Sequence, residues 1–585
     1  MCGIIGILSD YPVGDYLIEG LKRLEYRGYD SAGIAVLQDH KIQVLRTVGA
    51  VNKLEQNYAA SPFVGNVGIA HTRWATHGGV SEKNAHPHLS CKGDVAVIHN
   101  GIIQNYSELR QRLQNNGHIF RSDTDTEVAA HLLEDELGSG KSLLQAAIAI
   151  AKELRGEYAL VFMLKDFPDK MIAIRKSSPL LIGVGQNENI VSSDALAFLD
   201  KTNKAIFLED ESIAIIGKKD IEVYTFSGQR RKLHAIELAA EFSLPDKESY
   251  EHFTIKEIHE QPEVIAKVLE QEPGSFTLFR KEIERAKRIF IVAAGSSFHA
   301  SLLGRSYLSE YAGIYSDVVL ASEYKSVAKW FDDDCLILCV SQSGETMDVI
   351  EAAKTAKQNG ATVISIVNRS PSTLEKMSDA VVRLNIGAEV GVAATKSFTA
   401  QAFLFYAVAK GNMQAHDAVE LKGAMTEVLR HEAMIAKLSD IISRSKDVYY
   451  LGRGLNYAIA LEGALKLKEL AYMHAEGLAA GELKHGPLAL IEKGTPLFLI
   501  NPEDDTYEET LSNGVEVKSR GGVLIGLSTK PSVHYDFFVR LPEVRREFYP
   551  IVESIPLQLL AYYSAKVLNK DVDRPRNLAK SVTVK

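Results

Sequence analysis

The chain has 585 residues, of which 46% are hydrophobic and 24% are charged. This length exceeds what one hydrophobic core supports, so several domains are expected, and the composition excludes the disordered and fibrous classes. The formal net charge of −9 is spread along the chain, which excludes the basic surface of a typical nucleic-acid-binding protein.

The first part of the chain, residues 1–228, is predicted to form stacked β-sheets flanked by helices. Alternating β-branched segments such as IQVLRTV, VGIAHT and DVAVIHN indicate strands, and helical periodicity occurs around Tyr106–Gln114 and Thr126–Leu137. A polar, acidic stretch with two prolines and few strand signals follows. We predict a linker over residues 229–262.

Beyond the linker, buried strands such as IFIVAAG, CLILCVS and TVISIVN alternate with helical segments, as in a parallel sheet covered by helices on both faces. A weak internal repeat, with a period of about 160 residues, pairs IFIVAAGSSFHASLLG with VYYLGRGLNYAIALEG and CLILCVSQSGETMDVI with PLFLINPEDDTYEETL. We therefore predict two doubly wound α/β domains over residues 263–430 and 431–569, followed by a C-terminal tail over 570–585.

Cys2 is the first catalytic candidate, because removal of Met1 would leave a thiol and a free α-amine on one residue. An α-amine has an unperturbed pKa of about 8, so it can take the thiol proton, as in N-terminal nucleophile enzymes. Taken alone, Cys2 is better interpreted as the accidental second residue of a buried strand. Asn100 and Gly101 come at the end of the segment DVAVIHN, where they could face an oxyanion or could simply form a turn.

The motifs HTRWATHG and SDTDTE supply groups that could bind an amino acid. Arg73 can hold a carboxylate through two hydrogen bonds, and Asp125 can hold an ammonium group. A substrate with an α-carboxylate and an α-amine would satisfy both, which indicates an amino acid whose side-chain amide reaches Cys2. Each motif alone is also compatible with a surface ion pair.

Taken together, the N-terminal CGI, EYRGYDSAG, HTRWATHG, HNGIIQNY and SDTDTE resemble the glutaminase domain of the class II amidotransferases in order and spacing. The resemblance implies an N-terminal nucleophile αββα fold in which Cys2 attacks the glutamine amide. It assigns the oxyanion hole to Asn100 and Gly101. It also implies a set of glutamine-binding residues: Arg73, Trp74, His77, Gly78 and Asp125.

Two serine-rich loops in the second part of the chain are candidates for phosphate binding. GSS at Gly295–Ser297 and SQSGET at Ser341–Thr346 each lie where a strand should turn into a helix, and hydroxyl and N–H groups at helix N-termini bind phosphate. At neighbouring carboxyl ends of parallel strands, the two loops would converge on one crevice. Ordinary helix capping by serine is the alternative for either loop alone.

SQSGET followed by TVISIVN resembles the sugar isomerase (SIS) domain, which binds phosphosugars, and the repeat fits two such domains. The segment ALEGALKLKELAYMHAEGLAAGELKHGPLALI and the tail DVDRPRNLAKSVTVK resemble the isomerising glutamine–fructose-6-phosphate aminotransferase family. The resemblance implies a set of residues that bind the sugar phosphate: Ser296, Ser297, Ser341, Gln342, Ser343, Thr346, Val392 and Lys466.

By the same resemblance, Lys580 forms a Schiff base with the ketose carbonyl, Glu469 moves a proton between sugar carbons, and His485 of the neighbouring subunit opens the sugar ring. A homodimer is therefore expected, with glutamine and fructose 6-phosphate as substrates and with no cofactor. Without the resemblance, Lys466 and Glu469 would be interpreted as a solvated helix pair and Lys580 as part of a frayed tail.

Alternative functions are compatible with these motifs. Ala294 stands where the family often has cysteine, which leaves room for a different phosphorylated or nucleotide-linked ketose as the acceptor. The tandem SIS domains could also form a phosphosugar sensor, but the presence of Cys2, Arg73, Asn100 and Lys580 argues against an inactive glutaminase. The main expectation is an enzyme that hydrolyses glutamine and converts fructose 6-phosphate into glucosamine 6-phosphate.

The four cysteines predict neither disulfides nor a metal site. Cys2, Cys91, Cys335 and Cys339 include no CxxC pair, and no histidine–cysteine cluster has metal-ligand spacing. Cys335 and Cys339 are expected to be buried in the strand CLILCVS. No apolar run could span a bilayer and the N-terminus lacks a charged leader, so we expect a cytoplasmic protein.

Overall fold

The structure is a computed structural model, and it divides into two compact units, Met1–Leu244 with Ser581–Lys585 and Pro245–Lys580. Among the described helices, none combines the length and the apolar composition that crossing a bilayer requires. The residues described are 2–75, 77–238, 246–270, 275–368, 370–411 and 415–582.

The first unit consists of two sheets with helices on their outer faces. In chain order, its strands are β1 Gly3–Ser9, β2 Ser31–Gln38, β3 Lys41–Val48, β4 Val67–Arg73, β5 His88–Leu89, β6 Val95–Ile103, β7 Gly156–Leu164, β8 Lys170–Lys176, β9 Leu181–Val184, β10 Glu188–Ser192, β11 Lys204–Phe207, β12 Ser212–Gly217, β13 Ile221–Thr225 and β14 Ile236–Glu237. Its helices are α1 Gly14–Leu24, α2 Val51–Ala60, α3 Tyr106–Asn115, α4 Glu127–Gly138 and α5 Leu143–Glu153.

The two sheets are antiparallel, with the strand orders β14-β11-β9-β10-β1-β4-β2-β3 and β13-β12-β8-β7-β6-β5. Alternate strand residues point to opposite faces, and both faces of each sheet pack against a hydrophobic core. A core that includes Ile4, Ile69, Ile98 and Val161 lies between the sheets. Helices α1 and α2 cover the outer face of the first sheet, and α4 and α5 cover that of the second. The predicted αββα layering is confirmed.

The second unit is built from helices and parallel strands. Its strands are β15 Arg288–Ala293, β16 Asp317–Leu320, β17 Cys335–Ser341, β18 Thr362–Val367, β19 Ala380–Arg383, β20 Asp447–Gly452, β21 His474–Ala479, β22 Pro496–Ile500, β23 Val523–Ser528 and β24 Phe537–Arg540. Its helices are α6 Phe253–His259, α7 Gln261–Leu269, α8 Ser275–Arg285, α9 Gly295–Ala312, α10 Met347–Gln358, α11 Thr373–Met377, α12 Lys396–Lys410, α13 Ala415–Leu429, α14 Glu432–Ile442, α15 Leu455–Ala471, α16 Tyr507–Lys518 and α17 Tyr549–Val567.

The two sheets of the second unit have the same topology. Their orders are β16-β15-β17-β18-β19 and β21-β20-β22-β23-β24, and all neighbours are parallel. In both, the first strand lies between the second and the third, which creates a switch point where doubly wound sheets bind ligands. The predicted tandem of α/β domains is confirmed. Cys335 and Cys339 are buried in β17, as expected.

The predicted linker over residues 229–262 extends too far at its C-terminal end. Helix α6 occupies the last part of this segment, and the N–H groups of Phe253 and Thr254 donate to the Asp573 carboxylate at 3.0 and 2.8 Å. Glu257 is buried and accepts backbone hydrogen bonds from the Val390–Gly391 segment. The acidic composition that suggested a solvated linker thus includes a carboxylate that is used inside the fold.

Candidate active sites

Cys2 lies directly before β1, and its thiol faces the backbone that follows β4. The N–H of Trp74 donates to the Cys2 sulfur at 3.2 Å. Burial raises the pKa of the Cys2 thiol, although the Trp74 hydrogen bond and the positive charge of Arg73 oppose the rise. A thiol in this setting needs a nearby base to become a nucleophilic thiolate.

Asn100, in β6, holds a side-chain amide against Cys2. Its Nδ2 donates to the Cys2 carbonyl oxygen at 2.9 Å, and its Oδ1 lies 3.1 Å from Nε2 of His71. The same Nε2 lies 2.8 Å from the carbonyl oxygen of His99. Burial lowers the pKa of His71 to about 3, so the ring is neutral near pH 7 and must carry its proton on Nε2 to serve two acceptors. His71 therefore orients the Asn100 amide with its N–H groups toward Cys2.

Gly101 has a φ of +121°, which favours glycine. A Cβ at this position would lie 2.0 Å from the carbonyl oxygen of Glu157 on the neighbouring strand. The close approach of β7 thus requires glycine here for a steric reason that is independent of catalysis.

Arg73 and Asp125 are both buried and carry opposite charges near Cys2. The Arg73 guanidinium donates to the carbonyl oxygens of His77 and Gly78, so it also shapes the loop after β4. Asp125 accepts the N–H of Ile103 at 2.8 Å. Burial lowers the pKa of Arg73, and the negative charge of Asp125 limits the fall. A cation and an anion in one buried place can hold the two charged groups of an amino acid.

Two aromatic contacts complete the surroundings of Cys2. Trp74 is half-buried and packs edge-on against Tyr29, with 5.9 Å between ring centroids. The His77 ring packs against Tyr106 at 5.3 Å. Cys2 contacts Trp74 and Asn100, and the negative charges of Cys2 and Asp125 act on the Arg73 guanidinium. These five predicted residues therefore lie close together.

The side chain of Lys580 is buried, and the residue is not part of a frayed tail. Its ammonium forms an ion pair with Glu389, whose carboxylate also accepts the N–H groups of Thr395 and Ser397 at 3.0 and 2.9 Å. Burial alone would raise the pKa of Glu389, but Lys580 and these donors lower it below its ordinary value. The Val392 N–H donates to the Asp573 carbonyl oxygen at 3.0 Å, which fixes the tail beside this loop.

Helix α15 presents Glu462, Lys466 and Glu469 on one face, at positions one turn apart. The Lys466 ammonium is fully buried and lies 2.5 Å from Glu469 and 3.5 Å from Glu462. Burial would lower the pKa of Lys466, but these carboxylates and that of Glu389 raise it. Lys466 is therefore close to Glu389, which connects the charged face of α15 with the Lys580–Glu389 ion pair. We call this group of charged residues the Lys580 cluster.

Glu462 connects this cluster to the first serine loop. Its two carboxylate oxygens lie 2.8 Å from Oγ of Ser296 and 2.8 Å from Nδ1 of His299. Burial would raise the pKa of Glu462, but Lys466, His299 and Ser296 together lower it. Ser296 is buried, and its neighbour Ser297 is half-buried at the start of α9.

The second serine loop keeps its hydroxyl groups together between β17 and α10. The Ser341 and Thr346 hydroxyls lie 2.9 Å apart, and Ser341 Oγ accepts the N–H of Gly344 at 3.1 Å. Ser343 Oγ accepts the N–H of Glu345 at 3.1 Å. The half-buried Gln342 belongs to the same loop. These bonds shape the loop, and its polar atoms lie at the carboxyl edge of the first parallel sheet, beside its switch point.

His485 is exposed at the end of the short 3-10 helix Ala480–His485. In the described part of the chain it has no hydrogen-bond or ion-pair partner. The contacts within one chain therefore do not connect His485 with the Lys580 cluster.

Sequence reasoning missed Glu389, Glu462 and His299. Glu462 could have been found from its spacing, because it lies one turn before Lys466 in a helix whose first half is mostly apolar. Glu389 lies in a loop between β19 and α12, where no periodicity indicates which side chains are buried.

The domains match known families. Residues 71–200 match the glutamine amidotransferase domain, and residues 282–411 and 441–568 each match the SIS domain. Fold and site thus define a glutamine amidotransferase joined to two sugar isomerase domains. The chain is 42% identical over 601 residues to glutamine–fructose-6-phosphate aminotransferase (isomerizing) of Pyrococcus horikoshii, and 42% over 617 residues to that of Acinetobacter baylyi, with 100% of both chains covered in each case. It belongs to this family of aminotransferases.

Solved structures resemble the chain in the same way. The C-terminal domain of glucosamine-fructose-6-phosphate aminotransferase from Francisella tularensis is 33% identical, with a TM-score of 0.52, and the match covers 57% of this chain and 100% of that one. Tagatose-6-phosphate ketose/aldose isomerase from Escherichia coli is 18% identical, with a TM-score of 0.51, and the match covers 57% of this chain and 98% of that one. The second likeness shows a shared fold.

Proposed function

We propose that this protein transfers the amide nitrogen of glutamine to fructose 6-phosphate and isomerises the product to glucosamine 6-phosphate, with release of glutamate. The observation that carries the proposal is the burial of Lys580 among carboxylates, in a chain that belongs to the aminotransferase family. A buried amine beside a phosphosugar-binding edge is suited to form a Schiff base with a ketose.

In the first unit, Cys2 is the nucleophile. Removal of Met1 frees its α-amine, which takes the thiol proton, and the thiolate attacks the amide carbon of glutamine. The Asn100 amide and the Gly101 N–H stabilise the oxyanion, and ammonia leaves with the proton that the amine held. Water then hydrolyses the thioester to glutamate. Arg73 binds the α-carboxylate of glutamine, and Asp125 binds its ammonium group, while Trp74, His77 and Gly78 line the same site.

In the second unit, Lys580 is the amine that attacks the ketose. Its ammonium must first lose a proton, and the carbonyl oxygen leaves as water when the Schiff base forms. Ammonia then displaces Lys580 from the sugar carbon. Glu469 removes a proton from one sugar carbon and returns it to the next, which converts the ketose imine into the aminoaldose.

The phosphate of the sugar is proposed to bind at the two serine loops. The hydroxyls of Ser341, Ser343 and Thr346 lie at the N-terminus of α10, where N–H groups favour an anion. The remaining contacts with the sugar phosphate are assigned to Ser296, Ser297, Gln342, Val392 and Lys466.

We further propose a cytoplasmic homodimer, in which His485 of the neighbouring subunit opens the sugar ring. The exposure of His485 supports this assignment, because an exposed imidazole is accessible to a second copy of the chain. A phosphorylated substrate supports a cytoplasmic location, since its charge keeps it from crossing membranes. Free ammonia is largely protonated at neutral pH, so we also propose that it passes to the sugar without release into water.

The alternative acceptor is another phosphorylated or nucleotide-linked ketose. The exposed Ala294, at the entrance to α9, is the observation in its favour. Measuring kcat/KM for a panel of ketose phosphates distinguishes the two acceptors. Fructose 6-phosphate should give the highest value, and a higher value for another ketose would favour the alternative.

The test measures glutamate and glucosamine 6-phosphate in the same reaction of the full-length protein. Lys580→Ala should abolish the aminosugar but leave glutamine hydrolysis measurable, and Cys2→Ala should abolish both products. The matched controls are Lys287→Ala, whose side chain is 73% exposed, and Cys335→Ala, in β17. Aminosugar formation at the wild-type rate in either test variant contradicts the proposal.

A further inference from the structure

Four potential metal ligands lie together in the first unit, and none of them belongs to the residues assigned above to glutamine. One side-chain atom of each lies within 4.8 Å of the corresponding atoms of the others. They come from the turn between β5 and β6, the loop between α3 and α4, and α4 itself. The four residues are Cys91, His118, His131 and Glu134.

The spacing of these atoms is that of ligands around a tetrahedral metal ion. Cys91 Sγ lies 3.4 Å from Nδ1 of His118 and 3.5 Å from Nδ1 of His131, and the two nitrogens are 3.3 Å apart. Around tetrahedral zinc, two nitrogens lie about 3.3 Å apart and a nitrogen lies about 3.5 Å from a sulfur. Of the three edges that end on the Glu134 carboxylate, the one from His118 Nδ1 to Oε2 is 3.8 Å, and the other two lie within the 4.8 Å that bounds the group.

Hydrogen bonds alone do not satisfy this arrangement. The Cys91 sulfur and the two Nδ1 atoms face one another along three edges, and each proton can lie along only one of them. If both histidines carry their protons on Nε2, the thiol proton is the one proton available to these three atoms, and one Nδ1 lone pair has no donor. A single divalent cation in the middle satisfies a thiolate, two neutral imidazoles and a carboxylate at once.

The outer nitrogens of both histidines face carboxylates. Nε2 of His118 lies 2.9 Å from Oδ1 of Asp135, and Nε2 of His131 lies 3.6 Å from Oε1 of Glu127. Metal-bound histidines usually direct their second N–H to a carboxylate, which fixes the ring and increases its basicity. The 2.9 Å contact favours a proton on Nε2 of His118, which leaves its Nδ1 free to donate a lone pair to a metal. The 3.6 Å separation between His131 and Glu127 is an electrostatic contact that is too long for a hydrogen bond.

The sulfur and the carboxylate also receive backbone hydrogen bonds. The N–H of Ile119 donates to the Cys91 sulfur at 3.2 Å, and the N–H of Lys92 donates to Oε1 of Glu134 at 3.0 Å. Such donors stabilise the anionic forms that bind a cation. Three of the four candidate ligands are thus hydrogen-bonded to a second group of the chain, and His131 lies beside the Glu127 carboxylate.

We propose that Cys91, His118, His131 and Glu134 bind one Zn²⁺ ion. A set with one sulfur, two imidazole nitrogens and one carboxylate suits zinc, and the thiolate and the carboxylate neutralise its charge. Four protein ligands leave no open position, so the ion is structural and joins the β5–β6 turn to α4. The loop that it fixes also carries Asp125, which is assigned above to glutamine. The sequence predicted no metal site, because the ligands come from three separate segments.

The first measurement is the metal content of the full-length protein, purified without added metal. We expect about one Zn²⁺ per chain. Dialysis against a strong chelator should remove it and lower the thermal midpoint of the first unit, and added Zn²⁺ should restore both. Replacement by Co²⁺ should give the visible absorption of a tetrahedral site together with a sulfur-to-cobalt charge-transfer band. None of these three readouts depends on aminotransferase activity, so failure of the proposed function leaves this test intact.

Variants identify the ligands. Cys91→Ala and His131→Ala should lose zinc, whereas Cys91→His, which keeps a ligand atom, should retain the ion but lose the charge-transfer band. Cys335→Ala is the matched control and should keep both the bound zinc and the charge-transfer band of the cobalt form. If a variant fails to fold, the chelator and cobalt measurements on the unchanged protein still decide. A chelated protein that takes up neither Zn²⁺ nor Co²⁺, or zinc that stays bound in both alanine variants, overturns the proposal.

Discussion

The ammonium nitrogen of Lys580 lies 2.5 Å from Oε2 of Glu389, although the two residues are 191 positions apart in the chain. Their side chains are 6% and 0% exposed. A buried ion pair stabilises a fold only while both charges are present, because a single remaining charge is left without compensation. Single and double substitutions at this pair should therefore have different consequences.

Glu389→Gln should destabilise the second unit by about 3 kcal/mol, because it leaves the Lys580 ammonium buried without its partner. Adding Lys580→Met should recover part of this loss, since no charge then remains unpaired. Urea unfolding followed by Trp330 fluorescence in a Trp74→Phe background measures the second unit. Lys287→Met is the control, and a double variant that is less stable than Glu389→Gln would contradict the expectation.

Glu257 should make the stability of the second unit depend on pH. Burial and the neighbouring Glu389 raise the pKa of Glu257 above its ordinary value of 4.5. The folded state then binds more protons than the unfolded state, so stability falls as the pH rises above about 4.5 until Glu257 ionises in the fold. Glu257→Gln removes this loss and should gain stability relative to the unchanged protein as the pH rises. If the difference in stability between Glu257→Gln and the unchanged protein were constant between about pH 5 and pH 9, Glu257 would not be the source of the pH dependence.

The first unit should lose stability in mild acid. Burial lowers the pKa of each of four histidines below the ordinary value of 6.5: His71, His86, His88 and His99. The unfolded chain takes up protons that the fold excludes, so stability is lost progressively as the pH falls below about 6.5. His88→Gln should reduce the slope by up to about 1.4 kcal/mol per pH unit. Unfolding of the first unit, followed by Trp74 fluorescence in a Trp330→Phe background, measures this slope of stability against pH. The slope should be smaller in His88→Gln than in the exposed-site control His234→Gln.

Asn100→Ala should lower kcat for glutamine hydrolysis by about 10²- to 10³-fold and leave KM almost unchanged. In the proposed mechanism the amide stabilises charge that develops in the transition state, so its loss should affect the chemical step more than binding. The assay measures glutamate release without sugar. Asn116→Ala, at an exposed site after α3, should retain the full rate. A fall of less than about tenfold for Asn100→Ala would remove this residue from the oxyanion hole.

Local patterns were sufficient to predict the layers of both units. The alternation in DVAVIHN and the apolar run CLILCVS are properties of single strands, β6 and β17, and each is visible within a few residues. The repeat also revealed the second α/β domain, because equivalent strands carry similar segments.

The rest of the site depends on residues that are far apart in the chain. Lys580 pairs with Glu389 only because the tail docks beside a loop that follows β19, and no local pattern contains that information. Cys91, His118 and His131 meet through the packing of three segments, so their spacing matches no known metal motif. The role proposed for Lys580 was accessible from resemblance alone.

In the proposed mechanism, use of glutamine depends on a thiol at the N-terminus of the mature chain. Mass spectrometry of active enzyme labelled with an electrophilic glutamine analogue tests this requirement directly. The N-terminal peptide should begin at Cys2, carry a free α-amine and bear the label on its sulfur. Fully active enzyme whose N-terminal peptide still contains Met1, or a label on another residue, would contradict the assignment of Cys2 as the nucleophile.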